Sequence, residues 1–127
     1  MVKQFTRYLE THRAISASLA ILWTIILLVA CSMPGNELPK VDLFDHADKI
    51  IHWLFFVLFF IAWKITFYQT NRSSRWILII SVILGFSIEY YQLYFVKGRS
   101  FDVWDGIFDA IGAWCGFLYY RYYLKVE

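Results

Sequence analysis

Only two cysteines occur in the chain, Cys31 and Cys115, and both fall in hydrophobic segments. A disulfide framework and a cysteine-based zinc site are therefore not expected. Charge is also scarce, at 17% of 127 residues. No basic run or stripe offers a footprint for a phosphate backbone, so no nucleic-acid partner is expected. No His-Glu-x-x-His, Cys-x-x-Cys or Gly-x-Ser-x-Gly pattern occurs, and no serine or cysteine is marked as a nucleophile. The common hydrolase signatures are thus missing. So are internal repeats, low-complexity tracts and any polar stretch long enough for a soluble domain.

What is abundant is apolar surface. Hydrophobic residues make up 60% of the chain and aromatics 21%. A soluble domain carries about 45–50% apolar residues, so a chain of this size has more than it can hide from water. Four apolar stretches carry the excess: 14–33, 50–68, 76–95 and 104–120. The first is twenty residues without a charge, enough to span a hydrocarbon core of about 30 Å. The second is interrupted by His52 near its start and by Lys64 near its end, where a lysine is expected to snorkel to the interface. Short connections then predict an all-α, integral membrane, four-helix antiparallel bundle in a single domain covering 1–127. Leu28-Val29-Ala30-Cys31 looks like a bacterial lipoprotein cleavage box, with Cys31 as the acylated residue. The run before it is long enough to span, and the expectation is that it does.

Lysine and arginine set the orientation. With the N-terminus inside, eight of the twelve fall on the cytoplasmic side: Lys3, Arg7, Arg13, Lys64, Arg72, Arg75, Arg121 and Lys125. Lys40, Lys49, Lys97 and Arg99 fall outside. Both termini are therefore expected in the cytoplasm. Eight of the ten acids fall in the outer half, including Glu37, Asp42 and Asp45; only Glu10 and Glu127 lie inside.

Several of these acids enter apolar helices, where an ionised carboxylate costs roughly 2.5–3.5 kcal/mol at mid-span. Asp48 and His52 are four apart at the outer entrance of the second stretch. Gly85, Glu89 and Gln92 share one face of the third. Asp105, Asp109, Gly112 and Gly116 run along one stripe of the fourth. Glu89 and Asp109 reach similar depth from the same end, roughly 7–9 Å in at 1.5 Å per residue. Arg99 and Asp102 lie in the loop between them. Two carboxylates at one depth repel unless a proton or a cation intervenes. Arg99 is the nearest cation in sequence and is expected to turn inward onto them. The pattern thus predicts an outward-facing polar cleft ringed by His52, Glu89, Gln92, Arg99, Asp105 and Asp109. Asp48 and Asp102 sit beside it. Gly112 and Gly116 are expected to let another helix approach closely, within the chain or in an oligomer formed through the fourth helix.

These same residues resemble the VanZ-like family of small bacterial membrane proteins. The elements are Pro34-Gly35, Asp48-Lys49-Ile50-Ile51-His52, Glu89-Tyr90-Tyr91-Gln92, Arg99-Ser100-Phe101-Asp102-Val103-Trp104-Asp105, and Gly112 with Gly116. The resemblance covers roughly residues 15–120. Asp109 departs from it, standing where the family usually has asparagine, and adds a negative charge. The resemblance implies a four-helix fold in the bacterial cytoplasmic membrane, and an association with low-level resistance to the lipoglycopeptide teicoplanin. It implies no settled activity.

Three functions lead on the sequence; a channel or proton-coupled carrier ranks below them, because four short helices leave little room for a path and the inner half has no matching acids. The first is binding of a lipid headgroup, a lipid-linked envelope precursor or a lipoglycopeptide at the outer leaflet. The second is a small scaffold subunit of an envelope complex. The third is a membrane enzyme acting on a lipid-linked substrate, using His52 with the acids directly or through a divalent cation. Binding is preferred, with no cofactor or metal assigned and no catalytic residue named.

Overall fold

The computed structural model describes residues 1–34 and 47–125. Gly35, Glu37, Lys40, Asp42 and Asp45 lie outside the described residues. Among those described, the chain is all-helical. Five α-helices follow in order: α1 Val2–Thr11, α2 Arg13–Ser32, α3 Ala47–Thr66, α4 Ser73–Phe95 and α5 Val103–Tyr119. A π-helical turn over Tyr120–Leu124 continues α5. Three of these helices, α2, α3 and α4, are long and apolar enough to cross a membrane.

The four apolar stretches of the sequence correspond to α2 through α5, with ends shifted by a few residues. Helix α1 was not anticipated, because ten residues are too short for a span. Its apolar positions nevertheless fall on one side. Leu9 and Thr6 are buried, Lys3 and Arg7 are exposed, and Glu10 turns inward to accept a hydrogen bond from the Tyr120 hydroxyl at 2.9 Å.

Side chains tie the helices together at defined levels. Trp23 Nε1 of α2 donates to the Phe55 carbonyl of α3, and Trp63 Nε1 of α3 donates to Thr24 Oγ1, both at 3.0 Å. Leu27, Cys31, Phe56, Phe59 and Ile88 form one apolar core where α2, α3 and α4 meet. Leu9, Phe60, Ile65, Ile77, Tyr120 and Leu124 form a second. Ile21, Leu22, Ile25, Val29, Ile80 and Ile83 are exposed, so the outer faces of α2 and α4 are as apolar as the core. Lys64 does not reach the surface as expected. It is buried, and its ammonium donates to the Thr70 carbonyl at 3.0 Å and Ser73 Oγ at 2.7 Å. It therefore closes the turn between α3 and α4 from within.

The closest helix approach, and the one that positions the polar residues, is α3 against α5. Gly112 and Gly116 make it possible. A Cβ at Gly112 would collide with the Trp53 carbonyl oxygen, and one at Gly116 would lie 2.7 Å from the Val57 carbonyl oxygen. The successive pairings Lys49–Asp105, His52–Asp109, Trp53–Gly112 and Val57–Gly116 advance together along both helices. α3 and α5 therefore run side by side in the same direction. The glycine stripe faces α3 within the chain, so an oligomer through α5 would have to use its other side, where Ile111, Trp114 and Tyr119 are exposed.

Candidate functional site: a buried acidic pocket

The loop after α4 turns at Gly98, whose φ of 74° lies in the left-handed region that glycine adopts without strain. It delivers Asp102 to the N-cap of α5, and Asp102 makes three contacts there. Its Oδ1 accepts the Trp104 backbone N–H at 2.9 Å, capping the helix. Its Oδ2 accepts Lys49 Nζ at 2.9 Å. Its own backbone N–H donates to Glu89 Oε2 at 3.0 Å. The Lys49 ammonium holds the Asp102 carboxyl below the usual carboxylate range.

Lys49 links three acids. Besides Asp102, it donates to Asp105 Oδ1 at 3.1 Å and lies 3.5 Å from Asp48 Oδ2. Asp105 Oδ2 lies 3.8 Å from His52 Nε2, and His52 Nδ1 lies 3.0 Å from Asp109 Oδ1. Asp109 packs against Gly85, where a Cβ would sit 2.9 Å from the aspartate Cβ. Side chains from α3, α4 and α5 thus form a chain of polar contacts around one buried spot.

At that spot two atoms stand out. Glu89 and Asp109 are both 0% exposed, and Glu89 Oε1 and Asp109 Oδ2 have no hydrogen-bond partner. One donor atom from each of His52, Glu89 and Asp109 lies within 4.8 Å of the other two. A buried polar atom left unpaired costs about 1–3 kcal/mol, and more if charged. Two such atoms at one site call for a partner, which a proton, a water molecule or an ion would supply.

The placement of the anticipated residues differs in detail. His52, Glu89, Asp105 and Asp109 come together. Gln92 is buried one turn beyond Glu89, but its Nε2 donates to the Cys31 carbonyl at 3.0 Å. It fastens α4 to α2 rather than lining the spot. Asp48 is exposed at the rim. Arg99 was expected to turn inward onto the carboxylates. Instead its Nε points to the Met33 carbonyl, 3.5 Å away, and it makes no ion pair among the described residues. Lys49 is the cation that meets Asp102 and Asp105, and Glu89 Oε2 is held by the Asp102 N–H. Lys49 is the residue that sequence reasoning undervalued. Its signal was present: it sits three before His52, on the same helical face.

The comparisons with known proteins add the family and nothing finer. No curated protein and no solved structure matches the chain. The model of the VanZ/LLP1 family matches residues 4–125, nearly the full length and including every residue of the pocket. The chain belongs to the VanZ/LLP1 family.

Proposed function

We propose that the protein is a multi-pass binding module of the bacterial cytoplasmic membrane, whose pocket opens toward the periplasm or cell exterior and takes the polar head of a lipid or lipid-linked envelope precursor. In this reading α2, α3, α4 and α5 are four antiparallel spans with both ends of the chain in the cytoplasm. The lysine and arginine distribution supports that orientation. The contacts support the alternation: Arg13 at the start of α2 lies over the Phe67 ring just past the end of α3, Trp23 meets Phe55 further along, and Gln92 near the end of α4 meets Cys31 near the end of α2.

The observation that carries the reading is the pair of unpartnered carboxylate oxygens of Glu89 and Asp109. The sign of the charge narrows the occupant. Glu89, Asp102, Asp105 and Asp109 bring four carboxyl groups to the site, and Lys49 meets only Asp102 and Asp105 of them, so a bare phosphate would be repelled from the interior. Hydroxyl, amide or ammonium groups of a headgroup or sugar satisfy carboxylates directly. A phosphate stays at the rim, where Lys97 and Arg99 lie in the loop. A lipoglycopeptide offers the same amide and hydroxyl chemistry.

Lipid analysis of protein purified in its native membrane tests this. The wild type is expected to retain a defined lipid or lipid-linked class that Glu89→Gln and Asp105→Asn both lose while keeping their helical signal. The same lipids in wild type and both variants would contradict the reading.

A further inference from the structure

We infer that His52, Glu89 and Asp109 form a binding site for a divalent first-row metal ion. The inference needs the pocket but no lipid, so it stands even if the lipid reading fails.

Three observations lead to it. First, the donor set suits such an ion. One imidazole nitrogen and two carboxylate oxygens come from three helices and lie within 4.8 Å of each other. Around a Zn2+ at about 2.1 Å from each donor, neighbouring donor atoms are about 3–4 Å apart, so small side-chain rotations complete the shell. Second, the free atoms are the right ones. Glu89 Oε1 and Asp109 Oδ2 are fully buried and unpartnered, whereas Glu89 Oε2 is already held by the Asp102 N–H at 3.0 Å. Each carboxylate thus keeps one oxygen free for an ion, and Glu89 is oriented through its other oxygen. Third, the supporting groups are in place. With Nδ1 of His52 on the metal, Nε2–H faces Asp105 Oδ2, now 3.8 Å away. Asp105 is in turn held by Lys49 at 3.1 Å. A carboxylate behind a ligating imidazole fixes its tautomer and direction and strengthens the ligand.

Charge selects a cation over a water molecule or a single proton. A water molecule would satisfy the two oxygens but leave two carboxylates facing each other in a buried site. One proton would neutralise one acid and leave Asp109 to its contact with His52 at 3.0 Å. A divalent ion answers both at once. Three protein donors leave a fourth position open for water or for an oxygen of a bound headgroup. Imidazole with carboxylates favours Zn2+ or Mn2+ over the all-oxygen shells of Ca2+ and Mg2+.

The test uses the full chain in detergent, stripped with a chelator. Zn2+ titration by calorimetry is expected to show one site per chain, and Mn2+ to become immobilised in its paramagnetic resonance spectrum. Glu89→Gln and Asp109→Asn are expected to abolish the site. Asp105→Asn, which removes only the supporting carboxylate, is expected to weaken it by about 10–100-fold. His12→Asn, far from the pocket, keeps it. A second readout needs no variant: Zn2+ must shift the His52 ring-nitrogen resonances of the wild type. Absence of stoichiometric Zn2+ and Mn2+ binding overturns the inference. So does binding unchanged in Glu89→Gln and Asp109→Asn, or a His52 signal indifferent to Zn2+. Because no lipid is added in this titration and the readout is the metal, its outcome is separate from that of the lipid analysis.

Discussion

Gly112→Leu is expected to abolish the folded bundle, and Gly112→Ala to weaken it by about 1–3 kcal/mol, the range for overpacking a close contact. An alanine in mid-helix normally gains up to about 1 kcal/mol over glycine. Here the added methyl meets the Trp53 carbonyl oxygen, with the Trp53 carbonyl carbon 3.0 Å away. Backbone cannot rotate aside as a side chain can, so α3 and α5 must separate. That separation pulls His52 from Asp109 and Lys49 from Asp105. Thermal unfolding in detergent, followed by tryptophan fluorescence, measures the loss. Ile111→Ala, at an exposed neighbour, is the matched control and is expected to change little. Equal stability of Gly112→Ala and Ile111→Ala would mean the two helices do not touch there.

Lys49→Met is expected to cost about 1–3 kcal/mol, less than removing one partner of a fully buried ion pair because Asp102 is partly exposed. Methionine keeps the stem but removes the ammonium that lies between Asp102 and Asp105. Asp105 is nearly buried and has only His52 left. The double variant Lys49→Met with Asp105→Asn is expected to recover part of the loss, because the uncompensated charge goes with its partner. If the two losses simply add, the contact does not hold the pocket together. Acid acts on the same contact. The ammonium keeps Asp102 below the usual carboxylate range, so its contribution is complete at neutral pH. That contribution fades as pH falls through the lowered Asp102 value. Lys49→Met removes this part of the acid sensitivity.

Much of the site could be read from spacing alone. Helical periodicity places Glu89 with Gly85 and Asp109 with Gly112, and equal depth from one end brings the two acids level. What spacing cannot settle is which cation meets the neighbouring acids Asp102 and Asp105. Arg99 is close in sequence to both acids, whereas Lys49 is 53 residues from Asp102. Only the parallel course of α3 and α5 makes Lys49 the neighbour. Asp48 illustrates the same limit: four residues before His52 and three before it are both helical neighbours, and packing against α5 chooses Lys49. The role of Asp102 as a backbone donor to Glu89 carries no side-chain signature at all. Helix α1 is not legible as a span because a ten-residue amphipathic segment is too short to cross a membrane. The three long apolar helices followed directly from composition, since their outer faces remain apolar where a soluble protein would carry charge.

The convergence of His52, Glu89 and Asp109 is the claim on which the rest depends, and the imidazole of His52 reports on it. The chain has three histidines, so a spectrum of protein labelled with nitrogen-15 at histidine is simple enough to assign. Glu89→Gln and Asp109→Asn are each expected to shift both His52 ring-nitrogen resonances, the second more than the first, while His12 stays in place. If His52 ignores both substitutions, the acids of α4 and α5 do not share its pocket.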